Sequence, residues 1–208
     1  MTTPLGTLSV DRREARRVTL SRRTRETDIT LTLDLDGTGV ADVNTGVGFY
    51  DHLLGSFAHH GLFDLAVRVT GDLEVDEHHT VEDVALVLGR AVAEALGDRA
   101  GICRFGDAAV PMDEALATAV LDVGGRPYAV IDIPFRGERI GALPTQLVDH
   151  ALEAFARTSG TTLHLRASGR NDHHVAEAAF KALGRALRVA VAPDSRRAGA
   201  ASTKGSLG

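Results

Sequence analysis

The chain has 208 residues, 44% of them apolar, with 23 basic and 28 acidic side chains and a formal net charge of −5. That length suits one large domain or two small fused ones. No apolar run is long enough to span a bilayer, no charged-then-apolar leader opens the chain, and the lone Cys103 excludes an internal disulfide framework, so a cytoplasmic globular protein is expected.

Between Asp11 and Arg25, seven arginines meet two acids; this local +5 leaves −10 on the rest of the chain. Without interleaved aromatics, and joined to an acidic body that would repel phosphates, the stretch reads as a solvated arm entering a first edge strand, with no nucleic-acid partner. Ile29, Leu31, Leu33 and Leu35 then alternate with polar residues, the period of a half-buried strand. Asp36-Gly37-Thr38-Gly39 supplies turn chemistry, and Val40–Asn44 reads as the hairpin partner. A helix is predicted over Phe49–His59, a strand with Leu65, Val67 and Val69 inward, and a helix over His79–Leu96 ended by Gly97.

The same order recurs downstream. Ala115–Val123 and Pro127–Ile133 are strands joined by Gly124-Gly125, followed by a helix over Thr145–Thr158 and an alternating strand over Thr161–Arg166. A last helix, His174–Val191, stops before Pro193, which cannot extend it. The expected fold class is α+β: two duplicated strand–strand–helix–strand–helix halves, each a small mixed sheet with helices on one face. Residues 1–21 form the arm and first strand, 22–100 and 101–193 the halves, and 194–208, rich in Ser, Gly and Ala, a mobile tail.

The duplication also carries chemistry. His78-His79-Thr80-Val81-Glu82 is followed by Leu88-Gly89-Arg90-Ala91, and His173-His174-Val175-Ala176-Glu177 by Leu183-Gly184-Arg185-Ala186 at the same spacing. Each copy has an Asp-His pair upstream, Asp51-His52 and Asp149-His150. Six of the nine histidines thus occupy three matched positions. One His-His-x-x-Glu alone is more often a helix start or a solvated face; two copies with matching upstream histidines point to a duplicated metal site. On a helix the glutamate lies three and four residues from the two imidazoles, while adjacent histidines diverge by about 100° and suit two ions better than one. Six imidazoles and two carboxylates give about four protein ligands per ion, a set that favours Mn²⁺ or Fe²⁺ over structural zinc. His164, in an alternating strand, is the unremarkable histidine. His59 and His60 suit either a helix end or a substrate contact. Lys181 and Lys204 are the only lysines in a chain that otherwise chooses arginine, which hints at function.

These residues resemble the imidazoleglycerol-phosphate dehydratase family. The resemblance runs from Arg22 to Gly205 and is carried by Arg22-Arg23-Thr24-Arg25-Glu26-Thr27, Phe49-Tyr50-Asp51-His52, Asp76 to Asp83, Arg104-Phe105-Gly106-Asp107, Gly125-Arg126-Pro127-Tyr128, Asp172-His173-His174 to Lys181, and Ser202-Thr203-Lys204-Gly205. It implies a fold like domain 2 of ribosomal protein S5. It also implies two Mn²⁺ per subunit, held by His52, His78, His79, Glu82, His150, His173, His174 and Glu177. The implied reaction converts D-erythro-imidazole glycerol phosphate to imidazole acetol phosphate in histidine biosynthesis, through a metal-held imidazolate and a diazafulvene-like intermediate. Glu26 matches the base, with His52 and Glu177 also catalytic, His60 a substrate contact, and Arg104, Arg126, Lys181, Ser202, Thr203 and Lys204 the phosphate site. The family's homo-oligomer, an octahedral 24-mer with metal sites at subunit contacts, is implied as well.

The chain departs from the family pattern at Ser56, where relatives often have a longer polar side chain, and in the short segment Phe135–Pro144. No phosphatase domain precedes the first half, so dehydratase activity alone is expected. Two other readings compete. One is a dinuclear metallohydrolase of a phosphorylated small molecule, which would usually carry more carboxylates. The other is a metal-storage or metal-sensing cage, which would need neither Glu26 nor a phosphate site.

Overall fold

The computed structural model of the chain describes residues 7–205 and residue 207; residues 1–6 of the expected arm and residues 206 and 208 of the expected tail lie outside the described residues. The first half comprises β1 (Thr7–Glu14), β2 (Arg17–Arg23), β3 (Thr27–Asp34), β4 (Ala41–Asn44), α1 (Gly48–Gly61), β5 (Asp64–Gly71) and α2 (His78–Leu96). The second comprises β6 (Phe105–Met112), β7 (Ala115–Asp122), β8 (Tyr128–Asp132), the short pair β9 (Arg139–Ile140) and β10 (Leu143–Pro144), α3 (Gln146–Ser159), β11 (Thr162–Ser168) and α4 (Asp172–Val191). The sheet orders are β1-β2-β3-β5-β4 and β6-β7-β11-β8. Apart from the extra edge strand β1, the halves share one topology, and the expected α+β duplication holds with one further strand opening each half.

Alternation sets what each sheet buries. Val18 and Leu20 on β2, Ile29, Leu31 and Leu33 on β3, Ala117, Ala119 and Leu121 on β7, and Leu163 and Leu165 on β11 are buried, while their neighbours along the strand face outward. The buried faces receive the helices: α2 lies on β2, β3 and β5, α1 on β4 and β5, α4 on β6, β7 and β11, and α3 on β8. Across the halves α2 packs on α3 and α1 on α4, so four helices form a layer between two sheets. No helix among the described residues is long and apolar enough to cross a membrane.

Two pairings correct the sequence reading. Val40–Asn44 was expected as the hairpin partner of β3, but β4 lies parallel to β5; Pro127–Ile133 was expected to return on β7, but β8 lies parallel to β11. Apolar alternation reveals a strand without naming its neighbour. In the first half the cause is a contact between residues distant in sequence. The Asp64 carboxylate at the start of β5 accepts the N–H groups of Thr38, Gly39 and Val40 at 2.8, 3.1 and 3.0 Å, carrying the chain past β3 to the far side of β5. These bonds hold the Asp64 carboxyl below its ordinary pKa.

The repeated Leu-Gly-Arg-Ala motif marks the helix crossings. A Cβ on Gly184 of α4 would lie 2.3 Å from the Phe57 carbonyl oxygen of α1, and one on Gly89 of α2 would lie 2.5 Å from the Phe155 carbonyl oxygen of α3. Only glycine permits backbones this close. The crossings bring the first residues of α4 and α2 beside side chains of α1 and α3.

Candidate metal centres and an anion cavity

At the first crossing, His52 of α1 and His173 and Glu177 of α4 converge with ligand atoms all within 4.8 Å of one another. His52 Nε2 is 2.8 Å and His173 Nε2 3.1 Å from Glu177 Oε2, and the two rings are 5.5 Å apart with Phe49 4.9 Å from His173. Glu177 is 7% exposed. Burial pushes its carboxyl up, but hydrogen bonds from His52 and Lys181, whose Nζ is 2.7 Å from Oε1, pull it down to about 2. It is therefore an anion at neutral pH.

The second crossing repeats the arrangement with the halves exchanged. His78 and Glu82 of α2 meet His150 of α3, again with ligand atoms within 4.8 Å of one another. His78 Nε2 is 3.9 Å and His150 Nε2 3.3 Å from the Glu82 carboxylate, which also faces Arg157 at 3.3 Å. His150 Nε2 is buried and makes no hydrogen bond among the described residues, since its contact with Glu82 lacks the necessary geometry. A buried imidazole nitrogen with no proton partner beside a carboxylate and a second imidazole fits a divalent cation. The donor set, two imidazoles and one carboxylate with positions left over, suits Mn²⁺ or Fe²⁺.

The eight expected ligands thus divide six and two. His79 and His174 diverge from their neighbours, with interplanar angles of 81° and 89°, and fall outside both groups. Each instead sets Nδ1 on a carboxylate. His79 Nδ1 is 2.9 Å from Asp72 Oδ2, and His174 Nδ1 is 2.9 Å from Glu114 Oε2. A carboxylate on Nδ1 places the proton there and leaves Nε2 with a free lone pair, the arrangement of a metal-bound histidine. The Asp72 bond raises the His79 pKa, and the His174 bond lowers that of Glu114 to about 2. Glu26, in the β2–β3 turn, approaches the same imidazole from the other side, its Oε1 3.6 Å from His79 Nε2.

The expected phosphate residues gather elsewhere. Arg104, Arg126, Ser202, Thr203 and Lys204 line a cavity of about 530 Å³, joined by Arg197. The segment after Pro193, expected as a loose tail, is folded back along 100–104: Gly101 N donates to Gly199 O, Asp194 N to Gly101 O, and Arg104 Nη1 to Ala201 O at 2.5 Å. Asp122 fixes the Arg104 guanidinium from its other edge through Nε and Nη2, at 2.7 and 2.8 Å. Lys181 and His60 are not in this cavity. Lys181 sits on Glu177, and His60, in the last turn of α1, has its pKa lowered by burial and by Lys181 nearby. Sequence reasoning missed Asp72, Glu114 and Arg197. Glu114 could have been found, because it precedes β7 as Glu26 precedes β3.

Comparison with known proteins gives the family. Residues 45–187 match the family model described as imidazoleglycerol-phosphate dehydratase. The chain is 58% identical over 186 residues to the imidazoleglycerol-phosphate dehydratase of Methanoculleus marisnigri, covering 89% of this chain and 96% of that one. It is 55% identical over 195 residues to that of Acidiphilium cryptum, covering 93% and 100%. The crystal structure of the Pyrococcus furiosus protein in complex with (S)-C348 superposes with a TM-score of 0.78 at 36% identity, covering 90% of this chain and 99% of that one. That of Staphylococcus aureus gives 0.76 at 33%, covering 84% and 98%.

Proposed function

The chain belongs to the imidazoleglycerol-phosphate dehydratase family, hydro-lyases of histidine biosynthesis, and from that premise we propose that it acts on its phosphorylated imidazole with two Mn²⁺ per subunit. The observation that carries the reading is the pair of matching three-ligand groups, His52/His173/Glu177 and His78/Glu82/His150, each built from one helix of each half. Those six residues would hold the ions, with His79 and His174 supplying the remaining imidazoles. When bound, the ions supply Lewis acidity that stabilises negative charge on the substrate ring and assists departure of the hydroxyl beside it.

The chain's own residues do the rest. Glu26 takes the proton from the carbon next to the one losing hydroxide, so that together the two fragments make water. Lys181 keeps Glu177 ionised, and Asp72 and Glu114 fix the tautomers of His79 and His174. Arg104, Arg126, Ser202, Thr203 and Lys204 bind the phosphate, with Arg197 a further cation at the same wall.

This division of labour calls for more than one chain. Arg104 N is bonded to Ala190 O, thirteen residues along α4 from Glu177, or roughly 20 Å at 1.5 Å per residue. On the other side, Gly125 N is bonded to Gly160 O, ten residues after His150, or roughly 15 Å. Five single bonds of ~1.5 Å separate the substrate ring from its phosphorus, a reach of at most about 8 Å. A cavity of one subunit paired with the metal groups of another satisfies both ends, which supports a homo-oligomer such as the octahedral 24-mer.

The test is conversion of imidazole glycerol phosphate by chelator-stripped protein, with and without Mn²⁺. Product formation that returns with manganese is the expected result. Two bound ions per chain without product would favour the dinuclear metallohydrolase instead.

A further inference from the structure

Because the halves share topology and register, the second half is an internal control for the first. Glu26 precedes β3 as Glu114 precedes β7, yet the two carboxylates are held differently. Glu114 is anchored by its own oxygens, accepting the N–H groups of Arg170 and Asn171 at 3.0 and 2.7 Å and facing His174 Nδ1. Glu26 has no such anchor: among the described residues, its one basic partner within 4 Å is His79.

Behind Glu26 lies a network that the second half lacks. Arg22, inward on β2, donates to the Asp83 carboxylate of α2, as does the hydroxyl of Thr27. Arg22 Nη1 also lies 3.3 Å from Thr27 Oγ1, and Arg22 and Asp83 are each 5% exposed. The matching positions are Val110, Ala115 and Ala178. Arg22 faces Ile29, two residues beyond Thr27, as Val110 faces Ala117, two beyond Ala115; Asp83 follows Glu82 as Ala178 follows Glu177. A buried ion pair is seldom more stabilising than apolar side chains of similar volume. The second half reaches the same topology and register with smaller apolar side chains at these positions, so the fold itself does not require the pair.

Its location accounts for it. Asp83 lies four residues after His79, on the same face of α2. Adjacent residues of the β2–β3 turn therefore meet adjacent turns of one helix: Glu26 meets His79, and Thr27 is gripped by Asp83. Thr24 Oγ1 ties the two together by accepting the N–H groups of Glu26 and Thr27 at 3.0 and 2.9 Å. We infer that Arg22, Thr27 and Asp83 are positioning residues, a buried clamp that holds the Glu26 turn against the start of α2 and so fixes where its carboxylate can reach. The inference rests on the reading of Glu26 as the base.

The test transplants the second half's residues as Arg22→Val/Asp83→Ala. A folded protein with unchanged metal content is expected, with kcat lowered about ten- to a hundredfold, KM within about twofold, and faster amide exchange at Glu26 and Thr27. In a Glu26→Gln background the same pair of substitutions adds no further loss, because it acts through that carboxylate. Wild-type kcat in the folded double variant overturns the clamp. Wild-type kcat in Glu26→Gln overturns the base reading, and the clamp with it. Thr27→Val removes only the hydroxyl on Asp83 and is measured in parallel. If the double variant does not fold, a kcat-selective loss of several-fold in Thr27→Val supports the clamp, and unchanged kcat overturns it.

Discussion

At the scale of single residues, the carboxylates that touch no metal group carry much of the site's organisation. Glu114 keeps the proton of His174 on Nδ1, so that Nε2 presents a lone pair. Glu114→Gln leaves an amide oxygen for the Arg170 and Asn171 N–H groups but turns an NH₂ toward His174. Nδ1 must then accept, and the proton moves to Nε2, the atom a metal requires. Mn²⁺ affinity at the site using His174 is expected to fall about 10- to 100-fold, followed as free Mn²⁺ by electron paramagnetic resonance during titration; unchanged affinity at both sites would show that the carboxylate does not set the tautomer. Six of the eight imidazole and carboxylate candidates meet in the two three-residue groups, and repetition is what singled them out in the sequence. Asp72 and Glu114 were not legible, because each is one acid on a loop, where solvation is the ordinary explanation. Lys181 was legible as exceptional, but its seat on Glu177, and not beside Arg104, depends on a helix face that no spacing in the chain reveals.

At the scale of elements, the site exists because helices of opposite halves cross at glycines. Gly184→Ala places a methyl 2.3 Å from the Phe57 carbonyl oxygen, and rigid backbone must move to admit it. A loss of about 1–3 kcal/mol is expected, with His52 displaced from His173 and Glu177. Gly55, in the interior of α1 with nothing within 4 Å of an added Cβ, is the control. There Gly55→Ala should stabilise by about 0.5–1 kcal/mol through helix propensity. Thermal unfolding of metal-free protein separates the two, since 1 kcal/mol moves Tm by about 2–4 °C at this size; equal shifts would remove the crossing from the account. The helices were legible to within a residue or two, because their 3.6-residue periodicity and their Gly or Pro stops are local signals. Strand neighbours were not. β4 and β8 were found as strands but assigned the wrong partners, because pairing across a sheet depends on contacts such as Asp64 with residues 38–40, distant in sequence and invisible to alternation. β6, with only partly buried Ala108, Val110 and Met112 facing the core, gave too weak an alternation to be seen at all.

At the scale of the whole molecule, separation of the metal groups from the anion cavity makes cooperation between chains a matter of reach. If each reaction centre combines the cavity of one subunit with metal groups of another, damage to the two parts need not reside in the same place. Glu177→Gln alters a candidate metal group and leaves the cavity intact; Arg126→Ala weakens the cavity and leaves the candidate metal groups intact. Each variant assembled alone has every centre defective. When the two are dissociated, mixed and reassembled with Mn²⁺, some centres draw intact metal groups from Arg126→Ala chains and an intact cavity from Glu177→Gln chains. Partial recovery of dehydratase activity is therefore expected in the mixture and in neither parent. If both ends of the substrate were served by one chain, every centre in the mixture would still carry one defect. Activity would then stay at the average of the two parents, and an assembly shared across subunits would be ruled out by that single comparison.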